Sequence, residues 1–467
     1  MKKVIPKVLQ QSLEKIAQLP RPRRPRDIEK IGESLTPNMR ALRLSMLIAE
    51  QLLSMGVAAS DVVHMALGIT KTYCQRRVHF DVSSTMITAS QDRGIDREPL
   101  TLVRTITLQD TNHQTIQALQ SLALQIRDEH LPLEEAERIA DEAVQRPKQH
   151  SRWAVYAAGG AVSAGVVILF DGALIMTALA FVMGFLVTGM LRWLGRIGMV
   201  TFHSQILAAL SVTLVAASVA WLTTMTDLAI NPTLLVISGI VLLVAGMMIV
   251  GAFQDAIDEY YVTANARLLK VGVATAGVVI GVLSGLYIAT RFGITFPTTP
   301  DRLTLADATT QYIGALIIAA AFAARNHANV FGILVSGGVG VLGWWVSRLL
   351  GAFGFEVVMA SGGAALVIGL MATFVSRLWR IPSMAIIGAG IVPLVPGLSL
   401  YNGLMGIIQH PPGDAEFMIA LGILLRAVGI GAAVATGASL GNMIGRPLRR
   451  RFVHLYNRLP RRQLHRD

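Results

Sequence analysis

GIVPLVPGLSLYNGLMGI, residues 390–407, lies inside a stretch with no charged side chain from Ile381 to Pro412. Such a run can cross a bilayer, because a hydrocarbon core of roughly 30 Å takes about 20 apolar helical residues. Yet it holds Pro393 and Pro396, and each proline removes a backbone donor and obstructs the carbonyl four residues earlier. Gly397, Ser399, Tyr401 and Asn402 follow. Lipid cannot satisfy a freed carbonyl, so a broken span is tolerated only against protein or a water-filled cavity. Two readings are open. In one, the freed carbonyls with Pro396, Gly397, Ser399, Tyr401 and Asn402 bind a small polar solute, as interrupted spans do in carriers. In the other, the segment is a kinked helix whose small residues let neighbours pack closely.

The rest of the chain supports a membrane setting. Of 467 residues, 53% are hydrophobic and 15% charged, against roughly 25% charged in soluble proteins. The net charge of +12 raises nucleic acid or anionic lipid as partners. Residues 1–40 are rich in Lys and Arg, and RPLRRRFVHLYNRLPRRQLHRD (446–467) is rich in Arg. Both flank apolar segments, so anionic lipid is the expected partner and nucleic acid is not. The single Cys74 excludes an internal disulfide. No Walker A, potassium-filter, HExxH or GxSxG pattern occurs, so no cofactor, no metal site and no enzymatic centre is expected.

Residues 41–150 are polar enough to fold in water. ALRLSMLIAEQLLSMG (41–56), SDVVHMALGITKTYC (60–74), TNHQTIQALQSLALQIRD (111–128) and LPLEEAERIADEAVQ (131–145) have helical apolar spacing. RVHFDVSSTMITA (77–89) alternates as a half-buried strand does, QDRGIDREP (91–99) reads as a turn, and LTLVRTITL (100–108) is β-rich. From Trp153 onward ten spans are expected, at about 154–170, 173–191, 204–223, 233–252, 271–290, 307–324, 328–347, 356–376, 383–408 and 416–441. The layout is therefore a basic segment (1–40), a cytosolic α+β domain (41–150), two five-span halves (151–300 and 301–445) and a basic tail (446–467). The Lys/Arg bias of the short loops puts both termini in the cytoplasm.

NPTLLVISGIVLLVAGMMIVGAFQDAI (231–257) resembles IPSMAIIGAGIVPLVPGLSLYNGLMGI (381–407). Each is fourth in a group of five spans, and because five is odd the two halves would enter the membrane inverted. Gly246 and Gln254 of the first copy join the candidate substrate residues. Asp255, ending that span, and Asp171, between the first two, are candidate proton carriers. A solvated helix face and a turn, respectively, are the plainer alternatives. Arg426 lies mid-span and needs a partner, either a structural counter-ion or a bound anion.

These motifs resemble the threonine/serine exporters, whose two-part members join an N-terminal cytosolic domain and five spans to a second five-span half. The resemblance is carried by MGVAASDVVHMALGITKTYCQRRVHFDVSSTMIT (55–88), REPLTLVRTI (97–106), LPLEEAERIADEAV (131–144), AVSAGVVILFDGALIMTALAFVMG (161–184) and IPSMAIIGAGIVPLVPGLSLYNGL (381–404). It implies a cell-membrane antiporter exporting L-threonine and L-serine on the proton-motive force. Split relatives are linked to dicarboxylate export, for which Arg426 would be the anion partner. Family members often carry a Pro-Gly pair at the first break, where this chain has Val244, Ala245 and Gly246. A membrane-anchored hydrolase and a scaffold without a solute path are the rivals from other classes, and a homo-oligomer is compatible with every reading.

Overall fold

The computed structural model describes residues 36–456, apart from 95–96, 148, 224–230, 244–245, 295–304 and 380. Nearly all of the basic N-terminal segment and the end of the tail lie outside the described residues, as do the tail's side chains from Arg446.

The N-terminal unit begins with α1 (Pro37–Ser54) and α2 (Ala59–Tyr73). Thr36 starts α1 by accepting from the Met39 N–H, the usual service of a hydroxyl at a helix start. A three-stranded antiparallel meander follows, with β1 (Val78–Ser83), β2 (Met86–Gln91) and β3 (Leu100–Thr105). The alternation over 77–89 is thus a hairpin rather than one strand. Ser84 takes φ +55° between Ser83 and Met86, which pair with each other. Then come α3 (His113–Glu129), capped by Asn112, and α4 (Leu133–Gln145). Leu52, Ile69, Ile87, Leu119 and Ile126 close the core of this unit.

The apolar remainder is helical: α5 (Arg152–Leu169), α6 (Leu174–Arg196), α7 (Thr201–Thr223), α8 (Pro232–Leu243), α9 (Gly246–Ile257), α10 (Tyr261–Arg291), α11 (Ala308–Arg325), α12 (Val330–Ala352), α13 (Val357–Trp379), α14 (Ser383–Gly390), α15 (Gly397–Gln409) and α16 (Ala415–Tyr456). Among the described residues eight helices are long and apolar enough to cross a membrane, and ten spans result if α8–α9 and α14–α15 each count as one bent span. The bends are 43° and 48°.

A regular offset runs through these helices. α5, α6 and α7 have counterparts in α11, α12 and α13 that start and end 156 residues later. The turns match too. Asp171 (φ +56°) closes on the Ile168 carbonyl as His327 (φ +60°) closes on that of Ala324. Gly198 (φ +81°) and Gly354 (φ +86°) end α6 and α12 with equivalent hydrogen bonds. Pairings repeat as well: α7 packs on α10 as α13 packs on α16, and α5 on α6 as α11 on α12. A Cβ on Gly281 would collide with the Ile206 carbonyl, and one on Gly437 with that of Gly362, again 156 residues on. Such small residues let helix backbones approach where lipid gives no hydrophobic drive to associate. α5 and α11 cross antiparallel at the centre. There a Cβ on Gly165 would lie 3.2 Å from the Gly314 carbonyl oxygen, and one on Gly314 would lie 3.0 Å from that of Gly165.

Candidate functional site

The second broken span is built as its prolines dictate. α14 stops at Gly390, a single 3-10 turn covers Val392–Leu394 with Pro393 in it, and α15 restarts at Gly397. The Gly397 N–H reaches back only to the Val395 carbonyl, at 2.8 Å. A Cβ on Gly397 would sit 2.6 Å from Cγ2 of Val241, because the start of α15 crosses the end of α8 there. The end of α8 and the start of α15 therefore touch.

Beside this break is a cavity of about 240 Å³, just under the roughly 300–1,000 Å³ of drug-sized sites. Val392 to Ser399 form one wall; Leu169 and Phe170 of the α5 end, Ile237 and Val241 of α8, and the facing ends of α12 and α13 form the others. Most of the lining is apolar. Its polar side chains include Ser347, Ser361, Ser399 and Arg348, the last being the one charged group among the described lining residues. Trp344 lines it as well and is held by donating Nε1–H to Gln311 Oε1 at 3.1 Å. A small solute with one negative group and a short polar side chain matches this set.

The predicted residues separate. Pro396, Gly397 and Ser399 line the cavity. Tyr401 does not: it is 2% exposed, with its hydroxyl 3.4 Å from Oγ1 of Thr233 on α8. Asn402 is half-buried on α15, outside the lining. Gly246 opens α9, and its immediate surroundings lie outside the described residues. Asp171 is exposed in its left-handed turn, as the turn reading expected. Arg426 has Glu356 as its partner, Nε to Oε1 at 3.3 Å, with both side chains substantially exposed; neither is a lining residue, but Glu356 lies between the lining residues Phe355 and Val357 at the cavity's edge.

Gln254 and Asp255 lie elsewhere, where α9 and α10 meet the N-terminal unit. Asp255 is fully buried, not a solvated cap. Its Oδ1 accepts the Ala59 N–H at 2.7 Å, at the first residue of α2, and its Oδ2 lies 2.9 Å from Nη1 of Arg267. Arg267 also donates to the Val57 carbonyl at 2.8 Å. Around this pair, Ser60 donates to Asp258, Gln254 donates to Asp61 at 3.3 Å, and the Ser84 N–H donates to Thr263. A carboxylate at a helix N-terminus suits the dipole there.

A second seam joins α3 to the α11–α12 turn. The His113 N–H donates to the Asn326 carbonyl at 2.9 Å, Asn329 donates to Gln117, and the His150 N–H donates to Nδ1 of His327 at 3.0 Å. Burial pushes the His113 ring down to about 3, helped by His327; burial pushes His327 down to about 4, helped by Arg192 and His150 and opposed by Asp110. Arg325, just before this turn, donates to the Leu242 carbonyl at the end of α8. A cation thus meets the negative end of the broken helix. Sequence reading missed Arg348, Ser361 and Arg325. The only signal for the two arginines was a cation near a span end, and Ser361 carried none.

Two broken spans meeting in a bundle of apolar helices, with a small polar-tipped cavity at their crossing, define a multi-pass membrane transport protein. The family described as "Putative threonine/serine exporter" matches residues 43–289, and the one described as "Threonine/Serine exporter, ThrE" matches residues 311–444. A "Probable threonine/serine exporter" of Mycobacterium tuberculosis is 30% identical over 417 residues, covering 88% of this chain and 77% of its own. A "Threonine/serine exporter" of Corynebacterium glutamicum is 28% identical over 88% of this chain and 83% of its own. No solved structure matches. The chain belongs to the threonine/serine exporter family.

Proposed function

We propose that the protein exports small hydroxy amino acids, L-threonine and L-serine, from the cytoplasm across the cell membrane, driven by the proton-motive force. The observation that carries this is the cavity at the second break, where Arg348 would meet the substrate carboxylate and Ser361 and Ser399 its hydroxyl and ammonium groups. Both relatives bear the name of a threonine/serine exporter. One cation in the lining suits one carboxylate, which favours an amino acid over a dicarboxylate. Arg426, the anion partner a dicarboxylate exporter would use, is engaged with Glu356.

The N-terminal unit and both termini face the cytoplasm, so the cavity opens to the outside. The two five-span halves are inverted copies, a plan supported by the 156-residue offset and the antiparallel crossing of α5 and α11. Asp255 carries the coupling proton: protonation would weaken its hold on Arg267 and on the start of α2, tying the broken first span to the N-terminal unit.

The test is radiolabelled threonine flux in proteoliposomes containing the purified chain. Gradient-dependent accumulation, competed by serine, is the expected result. Absence of flux in folded protein would remove the transport reading.

A further inference from the structure

The 156-residue offset maps the α12 and α13 wall of the cavity onto the opposite end of the molecule. Arg348 maps onto Arg192, Trp344 onto Thr188, and Ser361 onto Gln205. Helix packing closes over those mapped positions: Thr188 lies against Gly159 of α5 and Gln205 against Gly277 of α10. They have nonetheless kept polar character. Thr188 is 3% exposed and its Oγ1 has no hydrogen-bond partner, and neither has the buried Oε1 of Gln205. A buried polar atom without a partner costs about 1–3 kcal/mol, so helices packing only for stability would not place two of them at equivalents of cavity-lining positions. Arg192 lies close enough to His327 for its charge to act on that ring, beneath the seam to the N-terminal unit.

We propose that Arg192, Thr188 and Gln205 form a second solute site, closed in this conformation, that receives the carboxylate and polar groups of the same amino acid at the face carrying the N-terminal unit. The proposal rests on the transport reading above and deepens it. For an exporter this is the loading site. Substrate meets Arg192 first, and the site at Arg348 is where it leaves. Opening the loading site parts α6 and α7 from the broken first span and gives Thr188 and Gln205 the partners they lack. It also undoes the seam at His150 and His327, so the N-terminal unit covers the loading site in the conformation described.

Two measurements test this. With Cys74→Ser as background, Gln205→Cys and Ser361→Cys are exposed to a membrane-impermeant thiol reagent on each face of oriented vesicles. Ser361→Cys should react only from the face opposite the N-terminal unit, and Gln205→Cys only from the face carrying it. A Gln205→Cys that stays unreactive there, with and without threonine and a pH gradient, overturns the proposal. The second measurement is threonine KM on each face. Arg192→Gln should raise KM about tenfold on the face of the N-terminal unit, the loss of one charge-assisted hydrogen bond, and leave it within about twofold on the other. Arg348→Gln should do the reverse. Equal KM changes at both faces would make the arginines structural. If the thiol pattern holds but wild-type protein moves no threonine, the substrate assignment fails and the second site stands.

Discussion

Asp255 and Arg267 form a pair with the carboxylate wholly buried and the guanidinium side chain 15% exposed. Removing one partner strands the other, which costs about 3–5 kcal/mol for a buried pair. Arg267→Ala should therefore lower the thermal midpoint in detergent sharply, and adding Asp255→Asn should recover part of the loss, because the uncompensated charge is gone. Asp255→Asn alone bears on coupling. It keeps the shape and can still accept the Ala59 N–H, but it cannot take up a proton. Threonine flux in inside-out vesicles should then no longer respond to an imposed pH gradient, while threonine–threonine exchange continues. Wild-type gradient dependence in that variant would remove Asp255 from the proton path. Gly397 makes a different kind of prediction. A methyl group there would lie 2.6 Å from Val241, and overpacking of this kind costs about 1–3 kcal/mol. Gly397→Ala should lower stability measurably and reduce flux by pushing α15 off α8, whereas Gly431→Ala, with open space around its Cβ position, should do neither.

At the scale of elements, the informative contact is α3 against the α11–α12 turn. His113 is 3% exposed and neither ring nitrogen has a hydrogen-bond partner. Its folded ring stays neutral down to about pH 3, while the unfolded ring takes a proton below about pH 6.5. The neutral ring's contribution is therefore complete above pH 6.5 and is lost as the pH falls from 6.5 toward 3. At pH 5 the loss is about 2 kcal/mol from this one group. His327, held down for the same first reason, acts in the same direction. The protection of α3, its hydrogen exchange relative to the intrinsic amide rate at each pH, should fall between pH 7 and pH 5, and His113→Gln should flatten that dependence. An unchanged protection profile would mean that the seam opens without exposing the ring.

At the scale of the whole molecule, the odd number of spans read in each half and the charge of the connections together predict the topology. Both termini should be cytoplasmic: alkaline phosphatase fused after Asp467 should show no periplasmic activity, and an active fusion would undo both the ten-span count and the inversion of the halves. The N-terminal unit packs at the α9–α10 and α11–α12 connections. The extension of α10 beyond α7 packs on α9 as the corresponding extension of α16 beyond α13 packs on α15, and Thr263 of α10 also accepts from the Ser84 N–H of the N-terminal unit.

What the sequence determined by itself was everything a bilayer enforces locally. A span must be a long apolar run, and a proline inside one must break it, so the helices at 152–169 or 330–352 and the break at Pro393 and Pro396 are legible without a neighbour in view. The relation between 231–257 and 381–407 was visible for the same reason. The 156-residue offset was not, because what is repeated is mostly geometry: Asp171 and His327 share a left-handed turn but no chemistry. Only the tertiary structure decided which face of α15 meets the cavity, sending Ser399 to it and Tyr401 to Thr233. It alone gave Asp255 its partner on α2, 196 residues away, and set Arg348 at the mouth of the cavity. Those outcomes depend on packing between helices far apart in the chain, and composition and periodicity carry no record of it.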